Sequence, residues 1–142
     1  MNTQAPGPTP WALVTGSSSG IGHVTALKLA EDGYSVVVCG RDPARTAETR
    51  EVIVAAGGRA TALIADFSSP AAVIDLAEQV FAAIGDDPLD VLVNNAGGGG
   101  FSPTEDTTPD MFDLAFNLNV KAPYILTGAF APPWPSAAMG RS

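Results

Sequence analysis

The chain is predicted to be α/β: a Rossmann-like doubly wound parallel sheet, present as its N-terminal half of about four strands with flanking helices. Three observations predict this. Apolar runs rich in Val, Leu and Ala alternate with segments of helical spacing. The runs are continuously apolar, as strands covered on both faces require. The first run passes into the first helix through a turn made of glycine and serine. A right-handed crossover between successive parallel strands then leaves one way to wind the sheet.

The elements follow in order. Residues 11–14 read as a strand, and residues 20–32 as a helix carrying Ile21, Val24, Leu27 and Ala30 at near-helical spacing. A Val-rich second strand spans 34–39. A helix over 43–56 is stopped by Gly57-Gly58, a natural C-cap pair. Residues 60–65 form the third strand. Ser68 or Ser69 caps the next helix, with Pro70 near its first position. That helix places Val73, Leu76, Ala77, Val80, Phe81 and Ile84 on one face. Residues 89–93 make the fourth strand. A loop at 97–100 leads to a helical stretch over 109–130, whose apolar residues include Met111, Phe112, Leu114, Ala115, Leu118, Ile125 and Leu126.

Composition narrows the function classes. A chain of 142 residues fits one domain. A net charge of −8 argues against nucleic acid or an anionic membrane as partner. One cysteine, Cys39, excludes a disulfide within the chain and reads as a buried strand thiol. No apolar run is long enough to span a membrane. Residues 1–10 lack the basic and apolar parts of a signal peptide and read as a disordered arm, so the expected compartment is the cytoplasm.

The turn carries the chemistry. Gly16, Gly20 and Gly22 differ in spacing from the common dinucleotide fingerprint, but they sit between a strand and a helix. Such a turn presents bare backbone N–H groups and the positive end of a helix dipole to a phosphate, and Ser17, Ser18 and Ser19 add hydroxyl donors. At the end of the second strand, Gly40 stands where an acidic residue would accept from ribose hydroxyls, and Arg41 follows. A guanidinium there suits a 2′-phosphate, which favours NADP over NAD. Asp42 could cap the next helix or neutralise Arg41. Asp66 ends the third strand, placed to reach an adenine edge or to cap the following helix. Asn94-Asn95-Ala96-Gly97 ends the fourth, where small residues admit a cofactor and asparagines can tie strands together. His23 is expected to be a solvated surface histidine.

Together these residues resemble the short-chain dehydrogenase/reductase family. The likeness rests on Thr15-Gly16-x-x-x-Gly20-x-Gly22, Asp66, Asn94-Asn95-Ala96-Gly97 and Asn119 within Asn119-Val120-Lys121-Ala122. It implies a carbonyl/alcohol oxidoreductase acting on a small molecule. It further implies that Gly16, Ser18, Ser19, Gly20, Ile21 and Gly22 cradle the pyrophosphate, that Arg41 meets the 2′-phosphate and Asp66 the adenine. Asn95, Ala96 and Gly97 would line the ribose and nicotinamide side, with Gly98-Gly99-Gly100-Phe101 bordering the pocket. Asn119 matches the family's catalytic asparagine, which orders a water in a proton relay; Asn117 fits that spacing less well. The 109–130 helix would contribute to a homo-oligomer interface. No metal is expected.

The pattern also breaks. The family's chemistry needs a tyrosine acid/base, a lysine four residues on and a serine ahead of them. Here Tyr34 and Tyr124 are followed at that distance by Val38 and Gly128, and a phenol with pKa near ~10 is a poor acid/base without such tuning. The expectation is a nucleotide-binding domain over 11–132 that lacks catalytic competence: a non-catalytic module, or an unstable truncated remnant prone to aggregation, its fourth strand an exposed edge. Pro133-Trp134-Pro135 interrupts a helical stretch. Deleting one base from codons for Ala-Pro-Ala-Met-Ala yields the Ala131-Pro132-Pro133-Trp134-Pro135 present here, so 133–142 is expected to be an aberrant, frameshifted tail.

Overall fold

The structure, a computed structural model, describes residues 7–132. The predicted tail and most of the predicted arm lie outside the described residues. The elements run β1 (Trp11–Thr15), α1 (Gly20–Glu31), β2 (Ser35–Gly40), α2 (Pro43–Ala55), β3 (Arg59–Ile64), α3 (Pro70–Ile84) and β4 (Leu89–Val93). A 3-10 turn (Thr104–Asp106), α4 (Pro109–Phe116), a π-helical turn (Asn117–Lys121) and α5 (Ala122–Phe130) follow. The four strands form one sheet in the order β3-β2-β1-β4, with all pairings parallel. This is the Rossmann-like order expected of the first half of a doubly wound sheet.

Strand alternation divides the core in two. Val14, Val36 and Val38 point to one face and pack with Ala26 of α1 and Ile53 of α2. Leu13, Val37 and Cys39 point to the other and pack with Leu76 and Val80 of α3 and Leu126 and Phe130 of α5. Every residue of β2 is buried, because it has a strand on each side and a helix layer on each face. β3 and β4 are the sheet's edges and are only partly buried. At the start of β1 the register against β4 slips, Trp11 pairing with Leu89 but Ala12 with Val91. The Asp90 side chain fills the gap by accepting from the Trp11 backbone N–H at 3.0 Å.

Three expectations are corrected. In α1, Ile21 and Val24 face outward, 79% and 64% exposed. The buried stripe instead carries Gly22, where a Cβ would collide with the Gly16 carbonyl, and Ala26, which packs with Val14, Val36, Val38 and Ile53. Phe81 is 42% exposed, lying at the rim of α3 with its ring centroid 5.0 Å from that of buried Phe130. The single helix expected over 109–130 is two α-helices joined by the π turn, an inserted residue pattern that often marks functional positions.

Candidate functional site

The carboxyl ends of β1, β2, β3 and β4 open on a cavity of about 580 Å³. Its lining brings together Gly16, Ser18, Ser19, Arg41, Asp66, Asn95, Ala96 and Gly97 with Gly40, and Leu114 and Leu118 supply an apolar wall. The remaining expected residues stand around it. Gly20 and Ile21 begin α1, Gly22 is buried beneath the turn, and Asn119 reaches the cavity through Gly98. Gly98, Gly99 and Gly100 also line it. Phe101 does not, and its side chain is fully exposed.

The floor is a closed hydrogen-bond knot. Thr15 Oγ1 accepts from the backbone N–H groups of Asn95 (3.0 Å) and Ala96 (2.9 Å) and donates to Val93 O (3.3 Å). The Asn95 carboxamide donates to Thr15 O (3.1 Å) and Gly16 O (3.2 Å). Both Nδ2 protons are therefore used in holding β4's end against β1's. Ser17, fully buried, donates its N–H to Cys39 O at 3.0 Å, and its hydroxyl accepts from Cys39 N at 2.8 Å. Burial pushes the Cys39 thiol up to about 12, so it is an inert neutral group beneath the turn.

Two glycines are dictated by space. A Cβ on Gly22 would collide with the Gly16 carbonyl and the Asn95 amide. A Cβ on Gly40 would lie 2.8 Å from Thr46 Oγ1 and 3.0 Å from Ser18. An acidic side chain at position 40 therefore has no room.

The caps assign the neighbouring charges. Asp42 caps α2, its Oδ1 accepting from Ala44 N (2.9 Å) and Arg45 N (3.1 Å). Ser69 caps α3 by accepting from Ala72 N at 3.3 Å. Thr108 caps α4 by accepting from Met111 N at 3.2 Å. Among the described α-helices that start from a loop, α1 alone has no side-chain cap, and its N-terminus faces the cavity. Exposed Arg41 has no ion pair within 4.0 Å among the described residues. Asp66 Oδ1 accepts from Ser68 Oγ (2.6 Å) and Ser68 N (2.9 Å). Those bonds hold its carboxyl below the usual carboxylate range, with a smaller contribution from the charge of Arg41.

Asn119 lies in the π turn and brackets the loop after β4. Its Oδ1 accepts from Gly98 N at 3.1 Å, and its Nδ2 donates to Gly98 O at 2.6 Å and Ala115 O at 2.8 Å. Asn117 is turned elsewhere, donating to Ser68 O at 3.1 Å.

The family profile described as short chain dehydrogenase matches residues 10–141. The chain belongs to the short-chain dehydrogenase/reductase family. It is 36% identical over 118 residues to the (2S)-[(R)-hydroxy(phenyl)methyl]succinyl-CoA dehydrogenase subunit BbsD of Thauera aromatica, covering 83% of this chain and 47% of that one. A metagenomic short-chain oxidoreductase solved in complex with NADP superposes with TM-score 0.81 and 44% identity, over 87% of this chain and 55% of that one. A short chain dehydrogenase from Burkholderia cenocepacia J2315, also in complex with NADP, gives TM-score 0.78 and 40% identity, over 84% and 49%. The chain thus spans about half the length of the family members it matches. No described helix is long and apolar enough to cross a membrane, and no described cluster of His, Cys, Asp and Glu is set to hold a metal ion.

Sequence reasoning missed the work done by Thr15, Thr46 and Thr49 and by His23. Thr46 and Thr49 look like helix filler, but both are buried, Thr49 against the glycine turn through Ser17 O and Thr46 beside Gly40 at the end of β2. Their only sequence signal is a pair of hydroxyls three residues apart on the helix that follows β2.

Proposed function

We propose that this chain is the NADP(H)-binding portion of a short-chain dehydrogenase/reductase that interconverts a carbonyl and an alcohol. The observation that carries the reading is Arg41: a guanidinium at the cavity mouth with no carboxylate within 4.0 Å among the described residues, Asp42 being bonded to the start of α2 and Asp66 to Ser68. A planar guanidinium left free in this way fits a 2′-phosphate, and the crowded Gly40 excludes the acidic side chain an NAD site would place there. The NADP in the two solved relatives supports the same choice.

In this reading the uncapped N-terminus of α1, with Gly16, Ser18, Ser19, Gly20, Ile21 and Gly22, receives the pyrophosphate. Asp66 meets the adenine edge. Asn95, Ala96 and Gly97 border the ribose and nicotinamide, and Asn119 holds the Gly98 loop at the nicotinamide end. The bound nucleotide supplies or takes up the hydride, and this chain's residues bind and orient it. Neither tyrosine of the 142 residues has a lysine four positions on, so this polypeptide by itself binds without turnover. The exposed apolar residues Met111, Phe112, Phe116, Val120 and Tyr124 of the 109–130 segment are where a second copy would dock.

Calorimetric titration with NADPH, paired with an absorbance assay against a panel of carbonyls, tests this. Saturable binding without NADPH oxidation is expected. Absence of binding contradicts the cofactor reading, and turnover contradicts the claim of an incomplete site.

A further inference from the structure

Thr49 Oγ1 has three polar neighbours and one proton. Ser17 O lies at 3.0 Å, Arg45 O at 3.3 Å and His23 Nδ1 at 2.8 Å. Both carbonyls can only accept. If His23 Nδ1 were also an acceptor, a single hydroxyl proton would face three acceptors and two close contacts would be lone pair against lone pair. The conflict is smallest when Nδ1 carries a hydrogen and donates to Thr49, which leaves the hydroxyl proton for one carbonyl and only one carbonyl facing a lone pair. Ser17 O is the nearer of the two.

Ser17 O belongs to the glycine turn. A planar trans peptide points its C=O and the following N–H in opposite directions. Anchoring Ser17 O on Thr49 therefore sets the direction of the Ser18 N–H, and Ser18 lines the cavity. Thr49 is 1% exposed and Ser17 fully buried, so water does not compete at this contact. His23 on α1 and Thr49 on α2 meet directly, and Thr49 reaches on to the carbonyl of Ser17 in the turn.

We infer that His23 and Thr49 are positioning residues: His23, as the Nδ1–H tautomer, donates to the Thr49 hydroxyl, which donates to Ser17 O and holds the phosphate-facing turn in its binding shape. What the turn holds rests on the dinucleotide reading above, whereas the tautomer does not. His23 is thereby assigned a role in place of the solvated one expected of it.

The chain has one histidine, so its ring nitrogens are observed alone. Long-range proton–nitrogen correlation of the full chain in alkaline buffer, without nucleotide, should show Nδ1 protonated. The Nε2–H form, which histidine favours in water, would overturn the relay. NADPH calorimetry then reads the positioning. Thr49→Val should weaken binding about tenfold and His23→Leu about threefold. Thr49→Ser and His23→Asn, which keep a hydroxyl and a donor at the same reach, should restore it. Adding His23→Leu to Thr49→Val should cost nothing further, because the two act through one contact. A lowered melting temperature with unchanged NADPH affinity in both single variants would reduce the pair to a structural tie and overturn the proposal. A wild-type chain that shows the Nδ1–H tautomer but binds no NADPH would contradict the cofactor reading and leave the relay standing.

Discussion

The corner where β1, the glycine turn and β4 meet differs sharply from the helical segment 109–130. In the corner, Thr15, Ser17, Asn95 and Thr49 spend their side-chain hydrogen-bonding groups on backbone atoms of neighbouring elements. No buried side-chain polar atom among the described residues lacks a partner. In the helical segment, α5 buries Ala122, Leu126 and Phe130, but α4 buries nothing. Phe112 and Phe116 stack on each other at 4.7 Å while remaining about half exposed, at 54% and 48%. The corner is complete within this chain. The segment satisfies its backbone by being helical and leaves much of its apolar surface in search of a neighbour.

The largest effect that would separate the two regions is in packing. Phe130→Ala, at the anchored end of α5, should destabilise by about 3–5 kcal/mol. Phe112→Ala in α4 should change monomer stability by no more than about 0.5 kcal/mol. Urea unfolding measures both, and a Phe112→Ala loss as large as that of Phe130→Ala would show that α4 is packed in solution. Next is the knot. Thr15→Val leaves the Ala96 N–H unsatisfied, while the Asn95 N–H keeps Val93 O at 3.0 Å, and should cost roughly 1–3 kcal/mol, with Thr15→Ser well below that. A neutral Thr15→Val would break the account of the corner. A smaller stability effect is expected from Phe112→Asp and Phe116→Asp, but sedimentation should show loss of any oligomer formed through the segment. Retained association would move the interface elsewhere.

How much of this was readable in the residues follows the same division. The order and type of strands and helices came through, because continuous apolar strands and proline-led, Ser- or Asp-capped helices are local signals; Asp42, Ser69 and Pro70 stand where caps and first turns need them. The facing of α1 did not. Ile21, Val24, Leu27 and Ala30 have helical spacing, but the face that buries Gly22 against the turn and Ala26 against the sheet is selected by close approach, which is a tertiary fact. The π turn at Asn117–Lys121 was equally hidden, since it keeps helical composition while changing the hydrogen-bond step. At the site, residues that line the cavity through backbone or charge were legible from glycine, serine and arginine positions. The threonines and His23 were not, because their partners lie on other elements, His23 and Thr49 being 26 residues apart.

The smallest predicted effect sharpens the view of the corner as closed. The Cys39 pKa is raised from 9.0 to about 12 in the fold. A raised thiol pKa favours the neutral form in the native state, so its contribution is fully present below pH 9 and is lost as pH climbs towards 12. At neutral pH a thiol reagent should label Cys39 only through opening of the fold, and NADPH should slow it further. Rapid labelling of the folded chain would mean that the turn is open in solution.

Parallel calorimetric titrations of wild type and Arg41→Ala with NADPH and NADH test the central claim most directly. The account predicts that wild type prefers NADPH by about tenfold or more and that Arg41→Ala removes this preference while leaving NADH affinity unchanged. Equal affinity of wild type for the two nucleotides, or a preference that survives loss of Arg41, would contradict it.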